Sequence, residues 1–168
     1  RMVGELTGRA KKVVQALFSR DHGLMAPKDI QGNVRPWFRT TEWGNGFTEG
    51  NSWHHSFPPY AVNAADGGEL AALHGGKQNL ANKIIEMITV PSNFQPGSYG
   101  MEIHEMVEAR ALAMGQYGHN NQPVHHVLWL LFMLGVEARK AGEMAIRRVM
   151  HKAYGTDYFA GDEDNGEQ

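Results

Sequence analysis

The sequence contains no cysteine among its 168 residues, and this absence excludes several kinds of structure and chemistry. A disulfide framework, a cysteine-ligated zinc site and a thiol nucleophile all require that side chain. An excess of one charge is also lacking, because 16 basic and 18 acidic residues leave a formal net charge of −2. That balance provides no electrostatic footprint for nucleic acid or for an anionic membrane surface. Nucleic acid is therefore not an expected partner.

Long hydrophobic runs are missing as well. The longest apolar run covers residues 127–136, about half of the ~20 residues that a membrane-spanning helix needs, so we expect no membrane span. Hydrophobic residues nevertheless make up 42% of the chain and charged residues only 20%, which excludes wholesale disorder and low-complexity classes. The length fits one domain or a large piece of one. Because the first residue is Arg1, we expect a piece of a longer polypeptide.

Helical periodicity accounts for most of the remaining pattern. No segment alternates with period two for long enough to predict a convincing strand, and Pro123 is typical of a first helical turn. The segment after it is apolar on all sides, which predicts burial on all sides. The predicted fold class is all-α, and both a helical bundle and an α/α toroid fit it. The predicted helices cover residues 5–18, 66–74, 77–89, 101–117, 124–134 and 141–154.

Three adjacent carboxylates, Asp162, Glu163 and Asp164, lie between two glycines near the end of the chain. Like charges this close disfavour one another's ionised form unless a cation or hydrogen-bond donors compensate. The segment is therefore either a solvated acidic turn or the position of a general base or a hard-cation site. Ca²⁺ fits the second reading, because it prefers carboxylate and carbonyl oxygens.

A second group of ionisable residues lies in the predicted helix 101–117. His104 and Glu108 are four residues apart, and Glu105 and Glu108 are three apart, so they can share a face. We expect Ala109 on that same side and Met106 on another. A surface helix with paired charges explains the pattern equally well. The His-Glu-x-x-His zinc pattern is not met, because position 108 is glutamate.

Two further segments carry groups that suit sugars. In the first, Thr48 is an acceptable helix N-cap, and Glu49 precedes Trp53 in a ring-rich stretch of the kind that stacks on sugar rings. An acid at a helix start is also simply favourable to the helix dipole. In the second, Asn121 and Gln122 supply neutral amides that hydrogen-bond polyhydroxyl ligands. The paired histidines that follow them, His125 and His126, are explained more readily by burial in the core.

Together these segments resemble one family, glycoside hydrolase family 92, whose members are calcium-dependent exo-acting α-mannosidases. The resemblance extends from about residue 17 to the C-terminus and implies an (α/α)₆ toroid. Residues 1–168 would then be part of that catalytic domain and would lack the family's N-terminal β-sandwich and the last helices of the toroid. These missing parts of the same polypeptide would be partners of the described chain. The segments that carry the resemblance are, in order, TEGNSW (48–53), HEM (104–106), GQYGHNNQP (115–123) with histidines at 125 and 126, and GDEDNG (161–166).

The resemblance implies an inverting hydrolysis in which one carboxylic acid protonates the glycosidic oxygen and an opposed carboxylate activates water. Glu49 matches the general acid, and Asp164, together with Asp162, matches the general base. Glu49 stands near Phe47 and Trp53 in the sequence, and burial among such rings would keep its carboxyl group protonated.

The resemblance also implies a Ca²⁺ ion that binds the sugar hydroxyls, with Glu108 and Asp164 as the matching ligands. His104 and Glu105 match the pair that contacts the leaving sugar in members that cleave α-1,2 links. The expected substrates are therefore terminal α-mannosides of mannose-containing glycans, with α-1,2 links favoured, and the expected location is secreted or periplasmic. The predicted substrate-binding residues are completed by Trp53, Asn121 and Gln122.

The sequence departs from the family pattern at three positions, and two other functions compete with the enzyme. His54 and His55 replace a Gln-Tyr pair, Asn120 stands where glycine is usual, and Glu167 where glutamine is more typical. One alternative is a non-catalytic glycan-binding or structural relative, and the other is an all-α interaction scaffold with a solvated acidic turn. An acid and an opposed base retained in one chain favour the enzyme over the first alternative. The second would leave the aromatic loop from Trp37 to Trp53 without an explanation.

Overall fold

The computed structural model describes residues 2–154, with side chains from residue 4 onward, and this part of the chain is helical. It contains one antiparallel pair of two-residue strands, β1 (Phe18–Ser19) and β2 (Leu24–Met25), with Phe18 opposite Met25. The helices are α1 (Met2–Leu17), α2 (Ser52–His55), α3 (Gly68–Leu73), α4 (Lys77–Thr89), α5 (His104–Leu112), α6 (Val127–Leu130) and α7 (Val136–Ala153). Short 3₁₀ turns cover Pro59–Ala61, Gly97–Tyr99, Gln122–Val124 and Leu131–Met133. The all-α prediction is confirmed.

Helix α4 lies at the centre of the core because its apolar residues recur at helical spacing. Leu80, Ile84 and Met87 form one stripe and are fully buried. Helix α4 packs against both α3 and α7. The predicted bounds of this helix, residues 77–89, are confirmed.

Helix α5 is shorter than the predicted helix 101–117. It ends at Leu112 because Ala113 adopts a left-handed conformation with φ +55°. Gly115 is also left-handed, with φ +63°, and a β-carbon there would lie 2.1 Å from the carbonyl oxygen of Met87. The backbone amide of Gln116 then donates a hydrogen bond of 2.8 Å to that same carbonyl. The chain after α5 is therefore held tightly against α4.

The apolar segment 124–134 is not one continuous helix. It is divided into the end of one 3₁₀ turn, the four residues of α6 and a second 3₁₀ turn. The apolar composition predicts burial on all sides. That prediction is wrong at Trp129, because 59% of that residue is exposed. No helix within residues 2–154 is long and apolar enough to cross a membrane.

Candidate active site

Helix α2 is positioned by the residue before it. Asn51 is its N-cap, and the side-chain Oδ1 accepts hydrogen bonds from the amides of Trp53 at 3.0 Å and His54 at 3.4 Å. The predicted cap, Thr48, lies three residues too early. The Nδ2 of Asn51 donates to Oε1 of Gln116 at 2.9 Å. This buried bond joins the start of α2 to the segment that follows α5.

Glu49 lies in the loop before α2 and has an uncommon backbone conformation. Its φ is +53°, a left-handed conformation that costs free energy in a residue with a side chain. Two hydrogen bonds hold it there: its amide donates to the Oη of Tyr99 at 2.9 Å, and its carbonyl accepts from Nδ2 of Asn121. The backbone of the predicted general acid is therefore fixed from both sides.

The Glu49 side chain is exposed. Residues 2–154 therefore do not bury its carboxyl group among aromatic rings, and that prediction is wrong. Phe47 and Trp53 point into the hydrophobic core instead. Trp53 is only 5% exposed, and Nζ of Lys83 lies 4.5 Å from its ring centroid. Trp53 therefore does not offer a ring face to solvent, where a sugar could stack on it.

His54 lies beneath the Glu49 loop and is 1% exposed. Its Nε2 is 2.7 Å from the carbonyl oxygen of Gln116, and its Nδ1 is 2.9 Å from Nδ2 of Asn121. A carbonyl only accepts, so Nε2 carries the proton and Nδ1 accepts from the asparagine amide. Burial lowers the pKa of His54 to about 3, so the imidazole is neutral near pH 7.

Helix α5 carries the second set of predicted residues. Nδ1 of His104 lies 3.3 Å from Oε2 of Glu105, and Glu108 accepts a hydrogen bond of 2.7 Å from Nδ2 of Asn120. The predicted grouping of Ala109 with the carboxylates is wrong. Ala109 is buried on the same side as Met106, where both pack against Trp43 and Phe94, while Glu108 is exposed.

Asn120 and Asn121 connect the two sets. Asn121 bonds to the backbone carbonyl of Glu49, and Asn120 bonds to the carboxylate of Glu108 on α5, so two neighbouring residues connect the Glu49 loop to α5. Gln122 is exposed and begins a 3₁₀ turn beside them. The predicted bases Asp162 and Asp164 lie outside the described residues.

Calcium requires hard oxygen ligands, and the described residues provide part of such a set. Oδ1 of Asn120 is buried with no hydrogen-bond partner among residues 2–154. The carboxylate of Glu108 lies beside Asn120. Within the described range no group of three histidine, aspartate or glutamate side chains converges on a metal position. The donors therefore fit an incomplete oxygen site to which the predicted ligand Asp164 would be added.

Four residues that support this site were not predicted as site residues, and they differ in the signal that they gave. Asn51, His54 and Gln116 stand within or beside the segments TEGNSW and GQYGHNNQP, so their position in those motifs was a signal for a role. Tyr99, whose hydroxyl accepts from the Glu49 amide, lies in a loop that carries no motif. The contact between Tyr99 and Glu49 depends on how this loop folds back onto the chain, and no sequence pattern indicated it.

Comparisons with known proteins identify the family and the fold. A scan against sequence models of protein families matches residues 4–168 to the glycosyl hydrolase family 92 catalytic domain. A solved family GH92 inverting mannosidase from Bacteroides thetaiotaomicron is 39% identical, with a TM-score of 0.61 over 90% of this chain and 20% of that chain. A family GH92 α-mannosidase from the same organism, in complex with mannoimidazole, is 24% identical, with a TM-score of 0.63 over 91% and 20%, a likeness that supports the fold alone.

The chain therefore spans about one fifth of the length of these two structures. No match was found among curated proteins. The similarity identifies the described helices as part of an α/α toroid, as the sequence predicted.

Buried neutral histidines predict a loss of stability in acid. Burial lowers the pKa of His54 to about 3 and that of His74 to about 4, whereas an unfolded histidine titrates near 6.5. Between those values the unfolded state binds more protons, so stability decreases as the pH falls below about 6.5. For His54 alone the loss at pH 5 is about 2 kcal/mol.

Calorimetry of the full-length protein at pH 7.5 and pH 5 measures this effect. We expect the decrease in Tm to be smaller in His54→Gln than in the wild type. His151→Gln, on the exposed side of α7, is the control and should follow the wild type. Equal decreases in all three proteins would contradict the assignment of a buried neutral imidazole.

Proposed function

Because the chain belongs to glycosyl hydrolase family 92, we propose that the protein hydrolyses terminal α-linked mannose from mannose-containing glycans. The observation that carries the proposal is the presentation of Glu49. Its left-handed backbone is held by Tyr99 and Asn121 while its carboxyl group faces outward. Strained residues of this kind are typical of functional sites. The 39% identity to an inverting mannosidase over 90% of the chain supports the same conclusion.

The reaction proposed is a single displacement with inversion. The carboxylic acid of Glu49 gives its proton to the glycosidic oxygen as the bond from that oxygen to the anomeric carbon breaks. Asp164, together with Asp162, takes a proton from a water molecule that attacks the opposite face, so that an α-mannoside yields β-mannose. Inverting enzymes separate the two carboxyl groups by ~6.5–9.5 Å to accommodate that water. The remainder of the catalytic domain and the bound sugar would exclude solvent from Glu49.

A Ca²⁺ ion is proposed beside this pair. When bound, it would supply a positive charge that holds two neighbouring sugar hydroxyls. Glu108 and Asp164 would be its carboxylate ligands. The side-chain carbonyl oxygen of Asn120 has no hydrogen-bond partner among residues 2–154, and it is a further donor of the hard type that calcium prefers.

The preference for α-1,2 links is proposed from the N-terminus of α5. His104 is largely exposed, and its Nδ1 lies 3.3 Å from the carboxylate of Glu105. The second ring nitrogen of this imidazole and the oxygens of the carboxylate are groups that hydrogen-bond sugar hydroxyls. These two residues would therefore contact the leaving mannose.

Replacing the general acid tests its role. Glu49→Gln in the full-length protein should reduce kcat on α-1,2-mannobiose by at least ~10²-fold, the usual size of general-acid catalysis. An aryl α-mannoside with a good leaving group should lose much less, because its leaving oxygen needs no proton. Glu137→Gln, an exposed glutamate of α7, is the matched control and should retain activity. Equal losses on both substrates would argue against the acid role.

Chelation tests the calcium proposal. Excess chelator should abolish mannosidase activity and added Ca²⁺ should restore it. Glu108→Gln removes one carboxylate charge from the proposed site, so it should raise the Ca²⁺ concentration needed for half-maximal recovery by about 10-fold or more, in the range that changes around metal ligands produce. Full activity of the wild type in excess chelator would remove the metal from the mechanism.

A further inference from the structure

The amide of Asn121 makes two hydrogen bonds that together connect the core to Glu49. One hydrogen of its Nδ2 points to the carbonyl oxygen of Glu49, and Nδ1 of His54 lies 2.9 Å from the same nitrogen. Both partners are acceptors and an amide nitrogen has two hydrogens. The orientation of this side chain is therefore fixed by His54 on one side and Glu49 on the other.

The other nitrogen of His54 fixes the imidazole itself. Nε2 donates to the carbonyl oxygen of Gln116 at 2.7 Å, and the edge of the ring meets Trp43 with a centroid distance of 5.0 Å. The carbonyl of Gln116 requires a proton on Nε2, so Nδ1 is left bare to accept from Asn121. A ring held at both nitrogens and packed on its side has one orientation and one tautomer.

The loop that carries Glu49 also rests directly on this ring. A β-carbon on Gly50 would lie 2.9 Å from Nδ1 of His54. The backbone after Glu49 therefore approaches the imidazole more closely than any other residue type would allow. His54 contacts the loop both through space and through the Asn121 amide.

We propose that His54 is a positioning residue for the general acid: it orients the Asn121 amide, which holds Glu49 in its left-handed conformation. This inference rests on the proposed function of Glu49. The burial that keeps His54 neutral preserves the acceptor that the arrangement needs, because a proton on Nδ1 would face the amide hydrogens of Asn121 and break the bond.

Glutamine at this position can perform the same two tasks, which gives the proposal its sharpest test. Its amide has an oxygen that can accept from Asn121 and a nitrogen that can donate to the Gln116 carbonyl. Leucine at position 54 fills a similar volume but can do neither. If His54 only fills space in the core, leucine should replace it at least as well as glutamine.

The experiment compares His54→Leu and His54→Gln in the full-length protein. We expect His54→Leu to lower kcat on α-1,2-mannobiose by ~10- to 100-fold, the size that a small misplacement of a reacting group causes. KM should change little, and an aryl mannoside with a good leaving group should be affected less. His54→Gln should recover most of the lost kcat. Retention of kcat in His54→Leu, or an equal loss in His54→Gln, would overturn the proposal.

Crystal structures of the same two variants separate this inference from the proposed function. The φ of Glu49 should stay near its wild-type value of +53° in His54→Gln and should leave the left-handed region in His54→Leu. A left-handed Glu49 in His54→Leu would overturn the positioning role even if the wild type is an active mannosidase. An inactive wild type whose variants show the expected backbone change would instead contradict only the proposed function.

If His54→Leu does not fold, Asn121→Ala tests the same connection without altering the buried imidazole. It removes the donor to the Glu49 carbonyl, so we expect the same selective loss of kcat on mannobiose, ~10- to 100-fold, and the same change in the Glu49 backbone. A fully active Asn121→Ala protein with an unchanged Glu49 would overturn the proposal.

Discussion

The arrangement of the site depends on one side-chain amide. Nδ2 of Asn121 donates to the carbonyl of Glu49 and to Nδ1 of His54, and it does so from a position where 4% of the residue is exposed. Breaking a buried hydrogen bond of this kind leaves a polar group without a partner, which costs free energy. The interaction therefore fixes the direction of a residue whose backbone would otherwise relax to a more common conformation.

The amide is itself placed by the chain that follows α5. Gly115 passes so close to the end of α4 that a β-carbon would lie 2.1 Å from the Met87 carbonyl. The backbone amide of Gln116 donates to that carbonyl. Its side-chain Oε1 accepts from Asn51, and its backbone carbonyl accepts from His54. A single turn thus connects the central core helix to the loop of the proposed acid. A substitution that displaces the core at this point is therefore expected to displace the site as well.

Sequence reasoning succeeded where the structure is determined locally. The apolar residues Leu80, Ile84, Ile85 and Ile88 were sufficient to give the bounds of α4, since together they form one apolar face at helical spacing. The motif order was sufficient for the family, and it included Asn51, Gln116 and Asn121 inside the matching segments. These are patterns that neighbouring residues create by themselves.

Sequence reasoning failed where a distant contact decides the local conformation. Helix α5 ends at Leu112, just before Gly115 approaches Met87 closely. The spacing of residues in the sequence does not reveal that contact. Trp53 was predicted as a sugar platform but lies in the core under Lys83, because aromatic rings are suited to both roles.

An experimental structure of the full-length protein with a bound mannoside analogue tests the central claim most directly. The measurement is the separation between the carboxyl groups of Glu49 and Asp164. The account predicts ~6.5–9.5 Å across one sugar pocket, with room for a water molecule. Carboxyl groups on different faces of the protein, or only ~5 Å apart as in retaining enzymes, would contradict it.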